Sequence, residues 1–338
     1  MKKLIPITIF ITFALLSSGC NDKKKTLISG QTMGTTYHIK VVAGSSKDIS
    51  HLKAKIDQRL AQINRSMSTW LKDSEISRFN ALEKIGEKFE ISNDFLEVMI
   101  VAQELYRLTE GAWDGTVNPL VNLWGFGNTG GRNSIPPVEQ IKKRLSELGF
   151  SNIQIIENRY LVKNKASVTL DFGSIAKGYA VDKIAELIEQ NGIKNFLVEI
   201  GGEVYAAGTR LDDKLWKIGI NTPRPDAPAD QVYKAIAIKD RAFATSGDYR
   251  NFFEVNGKRY SHIIDPRSGY PVDNGVVSVS VIADTCTFAD GLATALMVMG
   301  TEKGLTLVNR LPGVESLMIA RKEGQSLVAY YSNGFENQ

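Results

Sequence analysis

Apolar residues recur at helical spacing over residues 49–66, where Leu52, Ile56, Leu60 and Ile63 share one face. The pattern returns over 94–109 through Phe95, Val98, Met99, Ala102, Leu105 and Leu108, with Gly111 as a stop signal. Further helices are predicted at 135–148, opened by Pro136 and Pro137 and closed by Gly149, at 174–190 before Gly192, at 285–299 and at 301–310. Alternating or short apolar runs predict strands at 36–42, 153–156, 160–163, 167–171, 195–200, 204–209, 216–221, 233–238, 243–246, 252–255, 276–282, 314–320 and 325–330. Residues 111–132 carry glycines with Trp113, Trp124 and Phe126 but no local period, so tertiary contacts must order them. Runs of adjacent strands with helices set apart predict an α+β fold. No linker-like stretch, repeat or low-complexity tract divides the chain, so one compact unit is expected.

The N-terminus departs from this pattern. Lys2 and Lys3 precede an apolar run over 4–16, then Ser17, Ser18, Gly19 and Cys20. Such a run spans about 20 Å as a helix, short of the roughly 30 Å of a hydrocarbon core, so it reads as a signal peptide over 1–19. The small residues before Cys20 resemble a bacterial lipoprotein cleavage site, although Ser17 stands where leucine is usual. Cys20 would then be the lipidated first residue, with 20–29 as a tether; ordinary secretory cleavage is the alternative.

At 338 residues, 43% hydrophobic and 23% charged, the chain has the balance of a globular protein and not of a disordered one. Cys286 is the one other cysteine, so export implies no disulfide framework and stability must come from packing. The net charge of +4 is dispersed, without an Arg/Lys stripe, which argues against nucleic acid as a partner.

Three stretches could carry chemistry. Asp290 and Thr294 stand four apart on a predicted helix, so a carboxylate and a hydroxyl share a face and could offer hard oxygens to an ion such as Mg²⁺. By spacing alone the more ordinary reading is that Asp290 is a helix-dipole partner, with Thr294 bonded to its own backbone. The run Asp171-Phe172-Gly173-Ser174-Ile175-Ala176-Lys177-Gly178 turns into a helix, where amides and Lys177 could converge on phosphate; a turn with a solvated lysine fits as well. It lacks P-loop spacing. His262 precedes the turn-like Asp265-Pro266-Arg267-Ser268-Gly269 and suits proton transfer, though a lone histidine can be structural. His38 and His51 have no evident reactive neighbour. Gly201-Gly202-Glu203 reads as a hairpin turn.

With Met33-Gly34-Thr35, Asp73-Ser74-Glu75-Ile76-Ser77, Gly111-Ala112-Trp113-Asp114, Trp124-Gly125-Phe126-Gly127 and Thr245-Ser246-Gly247-Asp248-Tyr249, these stretches occur in the order found in the FAD:protein FMN transferases. The chain from about residue 30 onward resembles that ApbE-like, T-fold-related flavin transferase family, making 30–338 the transferase domain. The resemblance implies FAD as substrate and Mg²⁺ beside its pyrophosphate. It makes Asp290 and Thr294 metal ligands, with a backbone carbonyl from Ser174. Met33, Trp70, Ala112, Trp113, Asp114, Asp171, Lys177 and Ile264 would line the flavin nucleotide. Trp70 stands where tyrosine is expected, Ser268 where threonine is commoner and Glu203 where aspartate is.

On this reading FMN passes from FAD to a Thr or Ser hydroxyl of an acceptor protein, AMP leaves, and His262 is the candidate base. The implied acceptor is a flavoprotein subunit of a membrane electron-transport complex. A lipid-anchored enzyme on the periplasmic side of the inner membrane could meet it. Two alternatives stay open: a Mg²⁺-dependent FAD pyrophosphatase and a non-catalytic flavin-binding lipoprotein.

Overall fold

The computed structural model describes residues 23–44, 47–127, 134–228, 230–322 and 326–335. The proposed signal peptide and Cys20 lie outside the described residues. From Lys23 onward the chain departs from the expected tether, because strand β1 (Lys23–Thr32) pairs along its whole length with β2 (Thr35–Gly44). Three consecutive lysines and a mostly solvent-facing edge give β1 no hydrophobic alternation to read.

Eight strands form one antiparallel sheet. In spatial order they are β1, β2, β6 (Asn195–Ile200), β7 (Glu203–Ala207), β10 (Arg241–Gly247), β13 (Val276–Ala283), β14 (Glu315–Arg321) and β15 (Leu327–Tyr331). Alternation sends Phe196, Val198 and Ile200 to one face and Leu197 to the other. The first face packs against helices α1 (Leu52–Met67), α6 (Ala176–Gln190) and α7 (Cys286–Met299), and α3 (Asn93–Leu108) packs against α1 and α7. A separate hairpin, β8 (Trp216–Asn221) with β9 (Val232–Ile238), covers the opposite face through Trp216, Ile218, Ile220, Ile236 and Ile238. This two-sided cover explains why β13 is buried at every position.

The remaining elements are small. Helix α2 (Glu75–Asn80) is capped by Ser74, and β3 (Phe89–Glu90), β5 (Tyr160–Lys163) and β4 (Ile153–Ile156) make a three-stranded sheet. Helices α4 (Asn118–Leu123) and α5 (Val138–Leu145) join the hairpin of β11 (Phe252–Val255) and β12 (Lys258–Ser261) around Leu120, Trp124, Ile141, Phe253 and Ile264. Helix α8 (Thr301–Val308) precedes β14.

Two expectations change. Residues 167–171 form no strand: the Leu170 amide donates to Asn80 Oδ1 at 2.7 Å, its carbonyl accepts from Asn80 Nδ2 at 2.8 Å, and the Asp171 amide donates to the Gly115 carbonyl at 2.7 Å. Side-chain and loop partners therefore replace a ladder. Helix α5 begins at Val138, since a proline cannot donate to a helical bond and the residue before one is pushed toward extended backbone.

Candidate active site

Two adjoining cavities, of about 740 Å³ and about 470 Å³, lie on the helical side between the main core and the small cluster of α4, α5 and the β11–β12 hairpin. Asn118, Val121, Asp171, Gly173 and Lys177 line both. Met33 and Trp70 face the larger cavity. Ala112, Trp113, Asp114, Ser174, His262, Ile264, Asp290 and Thr294 face the smaller. All the residues singled out for nucleotide, metal and base roles thus meet at one cleft, although they come from distant parts of the sequence.

Met33 reaches the cleft because it and Gly34 form the two-residue β1–β2 turn, both with positive φ (50° and 71°). That geometry suits a hairpin but is strained for a methionine. Trp70 is 75% exposed, an unusual position for an indole without a ligand. By contrast Trp124 is buried, donates Nε1–H to the Gly269 carbonyl at 2.8 Å and stacks on Tyr260, so it belongs to the core. Phe126 does line the larger cavity.

The floor of the smaller cavity is set by α6 and α7, which touch backbone to backbone. A Cβ added to Gly178 would come within 2.3 Å of the Cys286 carbonyl oxygen. The Gly178 amide donates to Asp290 Oδ2 at 3.0 Å, which fixes a carboxylate that is only 3% exposed. Its other oxygen, Oδ1, has the Lys177 ammonium 3.7 Å away. Lys177 Nζ donates to Glu203 Oε1 at 2.7 Å, and Glu203 Oε2 is buried without a partner. Burial pulls the Lys177 ammonium down, but Asp290 and Glu203 outweigh it and hold it above the ordinary lysine value. Burial and then the charge of Asp290 push the Glu203 carboxyl up against the pull of Lys177, because two buried carboxylates share a single ammonium.

One turn further along α7, Thr294 Oγ1 lies 2.9 Å from the Ser246 hydroxyl of β10. Trp113 Nε1–H donates to Ser174 Oγ at 3.1 Å. Asp114 Oδ1 accepts from the amide (2.7 Å) and hydroxyl (2.6 Å) of Thr116. Burial raises the carboxyl of Asp114, opposed by those bonds, and raises that of Asp171, opposed by the Gly173 amide. Among the described residues no three His, Cys, Asp or Glu side chains gather to hold an ion, so any metal here needs mixed donors. The buried carboxylate, the threonine hydroxyl and the nearby Ser174 supply hard oxygens, which fit Mg²⁺ and suit softer metals poorly.

Across the cavity, His262 Nδ1 lies 3.1 Å from the Asn251 carbonyl. A carbonyl can only accept, so Nδ1 carries the proton and Nε2 keeps its lone pair. Burial lowers the pKa of the ring below the ordinary 6.5, against the Asn251 bond and with help from Arg259. The result is a neutral imidazole at neutral pH with one free acceptor nitrogen. Phe126 meets the ring edge-on, with centroids 6.3 Å apart.

Sequence spacing did not reveal the Lys177–Glu203 pair, the Gly178 donor or the Phe126 contact, because each joins segments far apart in the chain. A signal for Gly178 did exist: a glycine inside a helical pattern costs stability, which points to a packing reason, here the close approach of the Cys286 backbone.

The cleft thus sets a lysine and a buried carboxylate on one wall and a neutral histidine on another, on an antiparallel α+β frame, an arrangement that can bind an anionic ligand and accept a proton from it or from a co-substrate. The same fold is seen in the flavin transferase ApbE from Vibrio cholerae, with a TM-score of 0.85 at 41% identity over 93% of this chain and 99% of that one. The Pseudomonas stutzeri flavinyl transferase ApbE in its apo form gives 0.83 at 37% identity over 93% and 96%. The chain belongs to the ApbE family, whose model matches residues 33–318. Among its relatives, the FAD:protein FMN transferase of Vibrio cholerae is 43% identical over 326 residues, 95% of each chain. That of Haemophilus influenzae is 41% identical over 317 residues, 92% of this chain and 91% of the relative.

Proposed function

We infer that this chain transfers FMN from FAD to a hydroxyl of an acceptor protein, releasing AMP, with Mg²⁺ at Asp290. The observation that carries the reading is the convergence of Asp290, Thr294, Lys177 and a neutral His262 on one cavity, in a chain whose relatives are named FAD:protein FMN transferases. Asp290 and Thr294, with the Ser174 carbonyl, would hold the ion. When bound, Mg²⁺ withdraws charge from the pyrophosphate and eases departure of AMP. Lys177 lies where the two cavities meet and can pair with phosphate oxygens. His262 Nε2 takes the proton of the attacking Thr or Ser hydroxyl as the new oxygen–phosphorus bond forms and the bond to AMP breaks. Trp70 and Met33 offer apolar surface to a flat ring.

The acceptor in this reading is an exported or membrane redox subunit, and the enzyme is held at the periplasmic side of the inner membrane through a lipid on Cys20. The test is to mix the protein beginning at Lys23 with FAD, Mg²⁺ and such a subunit and to weigh the subunit. A gain of one FMN less water, absent with EDTA, is expected. Release of free FMN and AMP without that gain would identify a pyrophosphatase instead. For the anchor, Cys20→Ser in the full chain should move the protein from the membrane fraction to the soluble one, and unchanged partition would remove the lipid.

A further inference from the structure

We propose that Lys177 is the stand-in cation of the metal site, with Glu203 as its counter-ion, so that the free enzyme binds divalent metal weakly until the pyrophosphate of the nucleotide draws the lysine away. The inference rests on the reading of Asp290 as a metal ligand. Lys177 Nζ sits 2.7 Å from Glu203 Oε1 and 3.7 Å from Asp290 Oδ1, the oxygen left open once Gly178 has bonded Oδ2. Both carboxylates are only 3% exposed. A divalent ion entering beside Asp290 would face the Lys177 ammonium at close range. Like charges repel strongly where water is scarce. The lysine must therefore move, and the cleft gives it a place to go.

Lys177 lines both cavities, and its side chain is still 28% exposed, so it can swing from the acidic pair toward the junction where the pyrophosphate would lie. Glu203 stays behind. Its Oε2, buried without any partner, is left to receive the lysine again after AMP departs. The β6–β7 turn holds it there: Gly201 and Gly202 have φ of 64° and 108°, and Glu203 is paired with Ile200 across the hairpin. Glu203 is thus a positioning residue that returns the lysine to the empty site, and occupancy of the site by metal and by nucleotide becomes mutually reinforcing.

The experiment is titration of nucleotide-free protein with Mn²⁺, the free ion followed by electron paramagnetic resonance. Wild type should bind weakly and K177M at least tenfold more tightly, with K177Q giving the same readout should the methionine variant fail to fold. K177R keeps the charge and should match wild type. E203Q should bind no more tightly than wild type, since the lysine then rests on Asp290 alone. Adding D290N to K177M should abolish the gain. Equal or weaker Mn²⁺ binding by K177M, or tight binding by K177R, overturns the stand-in role while leaving Asp290 as a ligand. A K177M gain that survives D290N shows instead that the metal lies elsewhere, which removes the metal reading itself.

Discussion

Asp182 of α6 caps α7 through Thr287: its Oδ2 accepts the Thr287 hydroxyl at 2.5 Å and the Thr287 amide at 2.8 Å, while Oδ1 accepts the Cys286 amide at 2.7 Å. A helix start leaves amides unsatisfied, and here a carboxylate from a neighbouring helix takes two of them. The helix so anchored carries Asp290 and Thr294. Asp182→Ala should cost about 2–3 kcal/mol of stability and weaken metal binding with it, as read by denaturant unfolding and Mn²⁺ titration.

Burial raises Asp182 from 3.8 to about 6 against the bonds from Thr287 and Cys286. The folded state therefore holds this proton more tightly than the unfolded state. The contribution of this group to stability is greatest below 3.8, falls as pH rises to about 6, and is level above. Comparing unfolding of wild type and Asp182→Asn across that window should show the slope reduced in the variant. An unchanged slope would assign it to other carboxyls.

Asp290→Ala should abolish metal-dependent transfer and also leave the Gly178 amide without its acceptor, a cost of about 1–3 kcal/mol. Asp290→Asn keeps an acceptor for that amide and should recover much of the stability without the activity. Transfer measured by the mass of the acceptor, beside thermal unfolding, separates the two effects.

His262→Ala should slow transfer by roughly 10²–10⁴-fold with FAD still bound. Because burial holds the imidazole below 6.5, wild-type kcat should climb with pH to a midpoint below that value and then level off. The acidic limb should vanish in the variant. Persistence of the limb in His262→Ala would point to another base.

Trp70 is exposed, so Trp70→Ala should change stability by no more than about 0.5 kcal/mol. Loss of a stacking surface should weaken FAD binding by about 1–3 kcal/mol, measurable by quenching of flavin fluorescence. Trp70→Tyr should keep most of the affinity, since a phenol ring still stacks.

Gly178→Ala should be disruptive out of proportion to one methyl group, because the Cβ would meet the Cys286 carbonyl at 2.3 Å. Separating α6 from α7 costs about 1–3 kcal/mol and lifts the amide from Asp290. A lower unfolding midpoint with weakened metal binding is expected.

The sequence by itself made most of the regular elements legible, because hydrophobic period and turn residues act locally, but residues 167–171, read as a strand, form none. Strands β4, β5, β6, β8 and β11 fall where alternation places them, and the spacing of Asp290 and Thr294 puts both on one helix face. It was silent where local pattern is weak. The lysine-rich edge strand β1 pairs on one side only, and β12 follows the Asn256-Gly257 turn, whose positive φ values of 51° and 71° mark a hairpin that the polar residues of β12 obscured. Tertiary structure alone decided the electrostatics of the site. Lys177 and Glu203 are 26 residues apart and Gly178 and Asp290 are 112 apart. Whether two carboxylates share one ammonium depends on burial and on distances of a few ångströms, which the packing of α6 and α7 against the sheet sets and no spacing along the chain encodes.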